Sequence, residues 1–229
     1  MQTIGATPER LPEPGSAQVY APQEDTRLLI EACRDSGRLP SATMVDLCTG
    51  SGAVAAAGAE FGAAEVTAVD LSAAAVQAAA AALAGASCPA RVYCADLAEV
   101  SLIQPLGTVD VLTCNPPYVP TAPVTGSVDP DLGPVAAWDG GTDGRRVLDP
   151  LCALAPRLLA PGGVLLLVQS ELSGVTQTLR ALRRGGLNVR VERCRSIPFG
   201  PVLRSRARWL VAQPFADVVG ICAFSNAAR

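Results

Sequence analysis

Short apolar runs alternate with helix-length segments along most of this chain, and that alternation constrains the fold more than any single residue. Met44–Cys48, Glu65–Asp70, Ala90–Ala95, Val109–Cys114, Val164–Gln169, Leu187–Arg195 and Arg204–Gln213 read as strands. Ala53–Phe61, an Ala-rich stretch capped by Ser72 and running to Leu83, Arg145–Leu159 and Ser173–Arg184 read as helices, with Gln23–Asp35 a further helix ahead of the first strand. Strand–helix–strand succession requires parallel strands joined by crossovers. The expected fold is therefore α/β, a mostly parallel sheet with helices on both faces. The final two runs lie too close for a crossover helix, so the last strand should be antiparallel. At 229 residues one domain is expected, spanning 19–213. Residues 1–18 are Pro/Gly-rich and expected to be flexible, and 214–229 form a C-terminal tail with no assigned element. Residues 116–143 read as a long Pro/Gly-rich loop, a length that usually signals function.

Composition then removes chemistry. All 18 cations are Arg; Lys and His are absent. Ser-His-Asp and Cys-His nucleophiles, Lys Schiff bases, the P-loop and His-containing zinc sites are excluded. Carboxylates, amides, backbone and positioning remain. The eight cysteines contain no CxxC pair, so no metal site is expected, and they read as small core residues of a reduced, cytoplasmic protein. The N-terminus lacks a basic-then-apolar signal pattern, and no apolar run is long enough to span a membrane. Charge is uneven: residues 1–150 hold 7 Arg and 18 acids, and 151–229 hold 11 Arg and 3 acids. The basic third could meet RNA, or be an ordinary solvated surface.

Asp46-Leu47-Cys48-Thr49-Gly50-Ser51-Gly52 follows the first strand. Glycines at a strand-to-helix turn let backbone N–H groups approach a ligand closely. Asp70 ends the second strand, where a carboxylate can accept both ribose hydroxyls. Gly50, Gly52 and Ala55 also satisfy the relaxed dinucleotide fingerprint, so a dehydrogenase is one reading. Asp46 argues for another: a carboxylate inside the cradle repels pyrophosphate but suits a cationic amino group and sulfonium, as in S-adenosylmethionine. Asp96 and Leu97, after the third strand, could meet an adenine, or Asp96 could be a helix N-cap.

Asn115-Pro116-Pro117-Tyr118 ends the fourth strand. A planar –NH2 group is a poor nucleophile because its lone pair is delocalised. The Asn115 side-chain oxygen and the Pro116 carbonyl can hold its two hydrogens and aim the nitrogen face. The prolines preorganise both acceptors, and Tyr118 can stack on the planar group. Displacement at a sulfonium methyl then needs proximity and orientation rather than a strong base.

These residues resemble class I S-adenosylmethionine-dependent methyltransferases of the HemK type, which methylate a glutamine side-chain amide. Val19-Tyr20-Ala21-Pro22-Gln23-Glu24-Asp25-Thr26 is similar to the VYxPxEDT segment of the short, eukaryotic and archaeal release-factor branch. Ala137-Trp138-Asp139-Gly140-Gly141-Thr142-Asp143-Gly144-Arg145 resembles its AWxGGxxG loop. The chain has no room for the N-terminal helical domain of the longer bacterial enzymes.

The resemblance implies a Rossmann-like seven-stranded sheet and S-adenosylmethionine as cofactor. Thr26 would touch its methionine end, Asp46, Cys48, Gly50 and Gly52 would hold its amino-acid part, Asp70 the ribose, and Asp96 with Leu97 the adenine, with Tyr20 and Leu71 also among the cofactor-binding residues. Asn115, Pro116, Pro117 and Tyr118 would hold the acceptor amide, Asn115 also facing the cofactor. Cys48 stands where the family usually has Gly, so a positive φ there would be strained. The implied substrate is the GGQ loop of a peptide-chain release factor. The implied partner is a small zinc-binding activator subunit added to an exposed sheet edge, on which Arg91–Ala95 is expected. A nucleic-acid amino methyltransferase and a cofactor-binding scaffold without catalysis are the alternatives. The acidic N-terminal region and few aromatics weigh against the first, and the intact Asn115–Tyr118 motif against the second.

Overall fold

The computed structural model describes residues 19–97, 107–121 and 134–196, and the backbone of 217–224. Seven strands form one sheet: β1 (Thr43–Leu47), β2 (Glu65–Asp70), β3 (Ala90–Cys94), β4 (Val109–Cys114), β5 (Leu159–Ser170), β6 (Asn188–Ser196) and β7 (Asp217–Phe224). Their order is β3-β2-β1-β4-β5-β7-β6. The first five are parallel, and β7 runs antiparallel to both neighbours.

Strand alternation divides the core in two. Met44, Val66, Ala68, Val111, Val164, Leu166 and Val168 face one side, against helices α1 (Glu24–Ser36), α2 (Ala53–Glu60) and α3 (Ala73–Leu83). Val45, Leu47, Val69, Leu112, Cys114, Leu165 and Leu167 face the other, against α4 (Leu148–Leu158) and α5 (Val175–Arg184). Small residues set the first spacing. A Cβ on Gly58 would lie 2.1 Å from Met44 Sδ, and one on Gly52 would lie 2.7 Å from the Ala79 backbone. The Ala richness of α2 and α3 is thus a packing requirement as well as a helix preference.

Two boundaries differ from the sequence reading. β5 starts at Leu159, because Val109 pairs with Leu159 while Val111 pairs with Val164. The Pro161-Gly162-Gly163 segment is absorbed as a bulge between them, and a Cβ on Gly163 would meet the Val109 carbonyl at 2.8 Å. The second difference corrects the chain's end. The expected strand Arg204–Gln213 lies outside the described residues, and the seventh strand is Asp217–Phe224, beyond the expected domain limit at 213 and inside the expected tail. Its run VVGICAF is nearly continuous in apolar residues, as a strand between two partners requires.

The acidic and basic regions of the chain meet here. Arg193 pairs with Asp35, and Arg195 with Glu31 at 2.7 Å, joining β6 to α1. Arg190 pairs with Glu192, and Arg183 donates to the Val189 carbonyl. Four of the eleven Arg residues of 151–229 are thus engaged within the fold.

The loop after β4 folds back on itself. Val119 N–H donates to Trp138 O, Gly140 N–H to Val119 O, and Thr121 N–H to Gly141 O. Arg145, only 3% exposed, anchors its return. It donates to Asp149 Oδ1, the Ser173 and Gly174 carbonyls and Thr178 Oγ1. Truncation would leave the buried Ser173 carbonyl and Thr178 hydroxyl without this donor. Arg145→Ala should lower unfolding stability by about 2–4 kcal/mol in urea titrations. Arg145→Lys should recover little of it, since one ammonium cannot reproduce the planar fork.

Candidate functional site

The carboxyl ends of β1, β2 and β4 lie side by side: Leu47 is in register with Val69 on one flank and Cys114 on the other. The turn after β1, Asp70 and the Asn115 segment therefore converge although they are far apart in sequence. They open onto a cavity of about 480 Å³. Tyr20, Thr26, Asp46, Cys48, Gly50, Asp70, Leu71, Asp96, Leu97 and Asn115 through Tyr118 all line it. Gly52 does not. It caps α2 at φ 80°, and its missing side chain serves the contact with Ala79.

Asp46 is buried (1% exposed), and among the described residues no cation stands beside it. Its oxygens accept from Thr113 Oγ1 and Thr49 Oγ1, both at 2.6 Å. Burial pushes its pKa up to about 6, against the pull of those two hydroxyls. A carboxylate in this state gains from a cation delivered into the cavity. Asp70 braces the turn: Oδ2 accepts from Gly50 N–H and Oδ1 from Ser72 N–H, each at 2.9 Å. Gly50 has φ 54° and nothing within 4 Å of the place its Cβ would take, so the turn presents bare backbone. Leu71 is exposed beside the cavity.

The Asn115–Tyr118 segment is held from two directions. Asn115 Nδ2 donates to Thr26 Oγ1 at 3.2 Å, and Tyr118 OH donates to Asp25 Oδ2 at 2.7 Å. Burial, then the Asp25 carboxylate, raises the Tyr118 phenol well above its ordinary value, so it stays a neutral donor. The same two causes push Tyr20 to about 12. On the other side, a Cβ on Gly144 would lie 2.5 Å from the Tyr118 carbonyl. Glycine there lets the returning loop pack on the motif's own backbone. Sequence reasoning misses Asp25, Trp138 and Asp139 as cavity residues. Asp25 sits in an acidic first helical turn, which N-terminal helix chemistry already explains.

Among the described residues no group of His, Cys, Asp and Glu could hold a metal, and no helix is long and apolar enough to cross a membrane. Cys48 has φ 55°, the left-handed conformation that a residue in a glycine's place would be forced into. Its thiol touches that of Cys114, which burial raises well above its ordinary pKa. Cys48→Gly should relieve the backbone and stabilise the protein by about 1 kcal/mol, read as an increased midpoint in urea.

Comparison with known proteins agrees with this geometry. A family model described as a methyltransferase domain matches residues 44–124. The chain is 33% identical over 199 residues to the release factor glutamine methyltransferase of Deinococcus radiodurans, covering 74% of this chain and 69% of that one. It is 35% identical to mouse methyltransferase HEMK2, covering 77% and 83%. It spans only 52% of the release factor glutamine methyltransferase of Mycolicibacterium smegmatis, at 39% identity over 63% of this chain. Among solved structures, the E. cuniculi Mtq2–Trm112 complex, responsible for methylation of the eRF1 translation termination factor, superposes with a TM-score of 0.62 at 25% identity. The match covers 91% of this chain and 99% of that one. The chain belongs to the release factor glutamine methyltransferase (HemK-type) family of class I, S-adenosylmethionine-dependent methyltransferases.

Proposed function

We propose that this chain transfers a methyl group from S-adenosylmethionine to the side-chain amide nitrogen of a glutamine in the GGQ loop of a peptide-chain release factor. One observation carries the reading. Asn115 and Pro116 line one cavity with a buried carboxylate that has no cation beside it among the described residues and with a bare glycine turn.

The residues fit the cofactor. Asp46 would hold its charged amino-acid end, the Cys48–Gly50 turn would let the cofactor lie close against bare backbone, and Asp70 has lone pairs left for two ribose hydroxyls. Leu71, Asp96 and Leu97 would flank the base. Bound there, S-adenosylmethionine supplies an electrophilic methyl on a sulfonium. This chain's own contribution is orientation: Asn115 and Pro116 accept the two amide hydrogens, and Tyr118 backs the amide plane. An amide nitrogen that has gained a carbon is strongly acidic, so its proton leaves without a dedicated base. The absence of imidazole and amine side chains is no handicap to such chemistry.

The partner reading has its own support. β3 is an edge strand with a largely exposed face, and Tyr93 and Leu71 are exposed beside it. A small activator subunit could add to that edge by strand pairing, as suggested by the likeness to a complex of two chains.

Tritium transfer from labelled S-adenosylmethionine to purified release factor should map by mass spectrometry to the GGQ glutamine. It should fall by at least about 100-fold in Asn115→Ala. Label in RNA or DNA but not in the factor would overturn the reading. Cofactor affinity should also depend on pH. Below about 6 Asp46 carries its proton and offers no charge to an ammonium group; above it the carboxylate is ionised. Calorimetry should show binding tightening from pH 5 to 7 and then levelling, and Asp46→Asn should remove the slope.

A further inference from the structure

The Asn115 amide has a donor end and an acceptor end, and the acceptor amide needs the latter. What selects it lies 89 residues away in the chain. Thr26 Oγ1 accepts from Asn115 Nδ2 at 3.2 Å and from Gln23 N–H at 3.4 Å. Its own hydrogen points to Asp25 Oδ1 at 3.3 Å. With that hydrogen committed to a carboxylate, the hydroxyl offers Asn115 only lone pairs. A reversed amide would set oxygen against oxygen. Asp25 is itself fixed: Oδ1 accepts Thr26 N–H at 2.7 Å, and Oδ2 accepts the Tyr118 hydroxyl at 2.7 Å. One dipeptide in the first turn of α1 thus grips both ends of the Asn115–Tyr118 motif.

We propose that Asp25 and Thr26 are positioning residues for the methyl acceptor: they fix the polarity of the Asn115 amide, so that Oδ1 faces the acceptor nitrogen, and they set the Tyr118 ring. The inference rests on the glutamine-amide reading above. It gives Thr26 an acceptor-side task, whereas the motif resemblance implies contact with the methionine end of the cofactor. The two tasks separate in measurement. A cofactor contact would show in cofactor affinity; a polarity lock shows in turnover alone, because it acts on a group that binds the other substrate.

The experiment uses the full chain, release factor and labelled S-adenosylmethionine. Thr26→Val keeps the shape and removes the hydroxyl. It should lower kcat by about tenfold or more while the cofactor Kd by calorimetry stays within about twofold. Thr26→Ser should restore most of the turnover. Asp25→Asn is the second variant, for the event that Thr26→Val does not fold. An amide there can donate to Thr26, freeing the hydroxyl hydrogen to meet Asn115 and favour the wrong amide end, so kcat should again fall at constant cofactor Kd. Cofactor affinity falling in step with activity, an unimpaired Thr26→Val, or a serine variant as poor as the valine one would each overturn the proposal. A wild-type chain that labels no release factor sinks the glutamine reading and this inference with it. A labelling wild type with an equally active Thr26→Val sinks the inference alone.

Discussion

Everything at the site depends on β1 having β2 on one side and β4 on the other. The chain leaves β1, builds the sheet outward through β2 and β3, then returns to the opposite flank. Where the direction of growth reverses, the helices that follow neighbouring strands depart to opposite faces, and a crevice opens at the strands' carboxyl ends. The Cys48 turn and the Asn115 segment stand on the two lips of that crevice because Leu47 and Cys114 are in register. A slip of one residue would turn Asp46 and Thr113 to the wrong faces together, so register here is strongly specified by burial.

The electrostatic plan follows from composition. With Arg as the sole cationic side chain, no short amine can be placed inside the crevice, and the buried Asp46 is tempered by two hydroxyls rather than by a salt bridge. That leaves the buried carboxylate incompletely compensated by its neighbours. The Arg side chains are used at the periphery instead. Arg145 locks a loop, and Arg193 and Arg195 tie β6 to the acidic helix α1.

Much of the fold, and which residues gather around the cavity, is legible in the sequence because both rest on short-range signals. Period-two apolar runs mark strands, Ser72 marks a cap, and the turn glycines mark a close backbone approach. What escapes depends on long-range partners. Hairpin links are short, which argues for a last strand close to β6, whereas residues 197–216 intervene before β7. The nearly unbroken apolar run of β7 is the available clue. The close packing of Gly52 on Ala79 escapes because a glycine in this turn reads first as a backbone approach to a ligand, and nothing local points to α3. Asp25 stays hidden because an acid in a first helical turn needs no further explanation.

The return of the post-β4 loop has a consequence for how such a protein can change. Hydrogen bonds between 119–121 and 138–141, the close fit of Gly144 on Tyr118, and the Arg145 anchor fasten both ends of that excursion to the motif. The Asn115–Tyr118 backbone is therefore braced from the segment that returns to it as well as from α1, so a change at either contact reaches the motif directly.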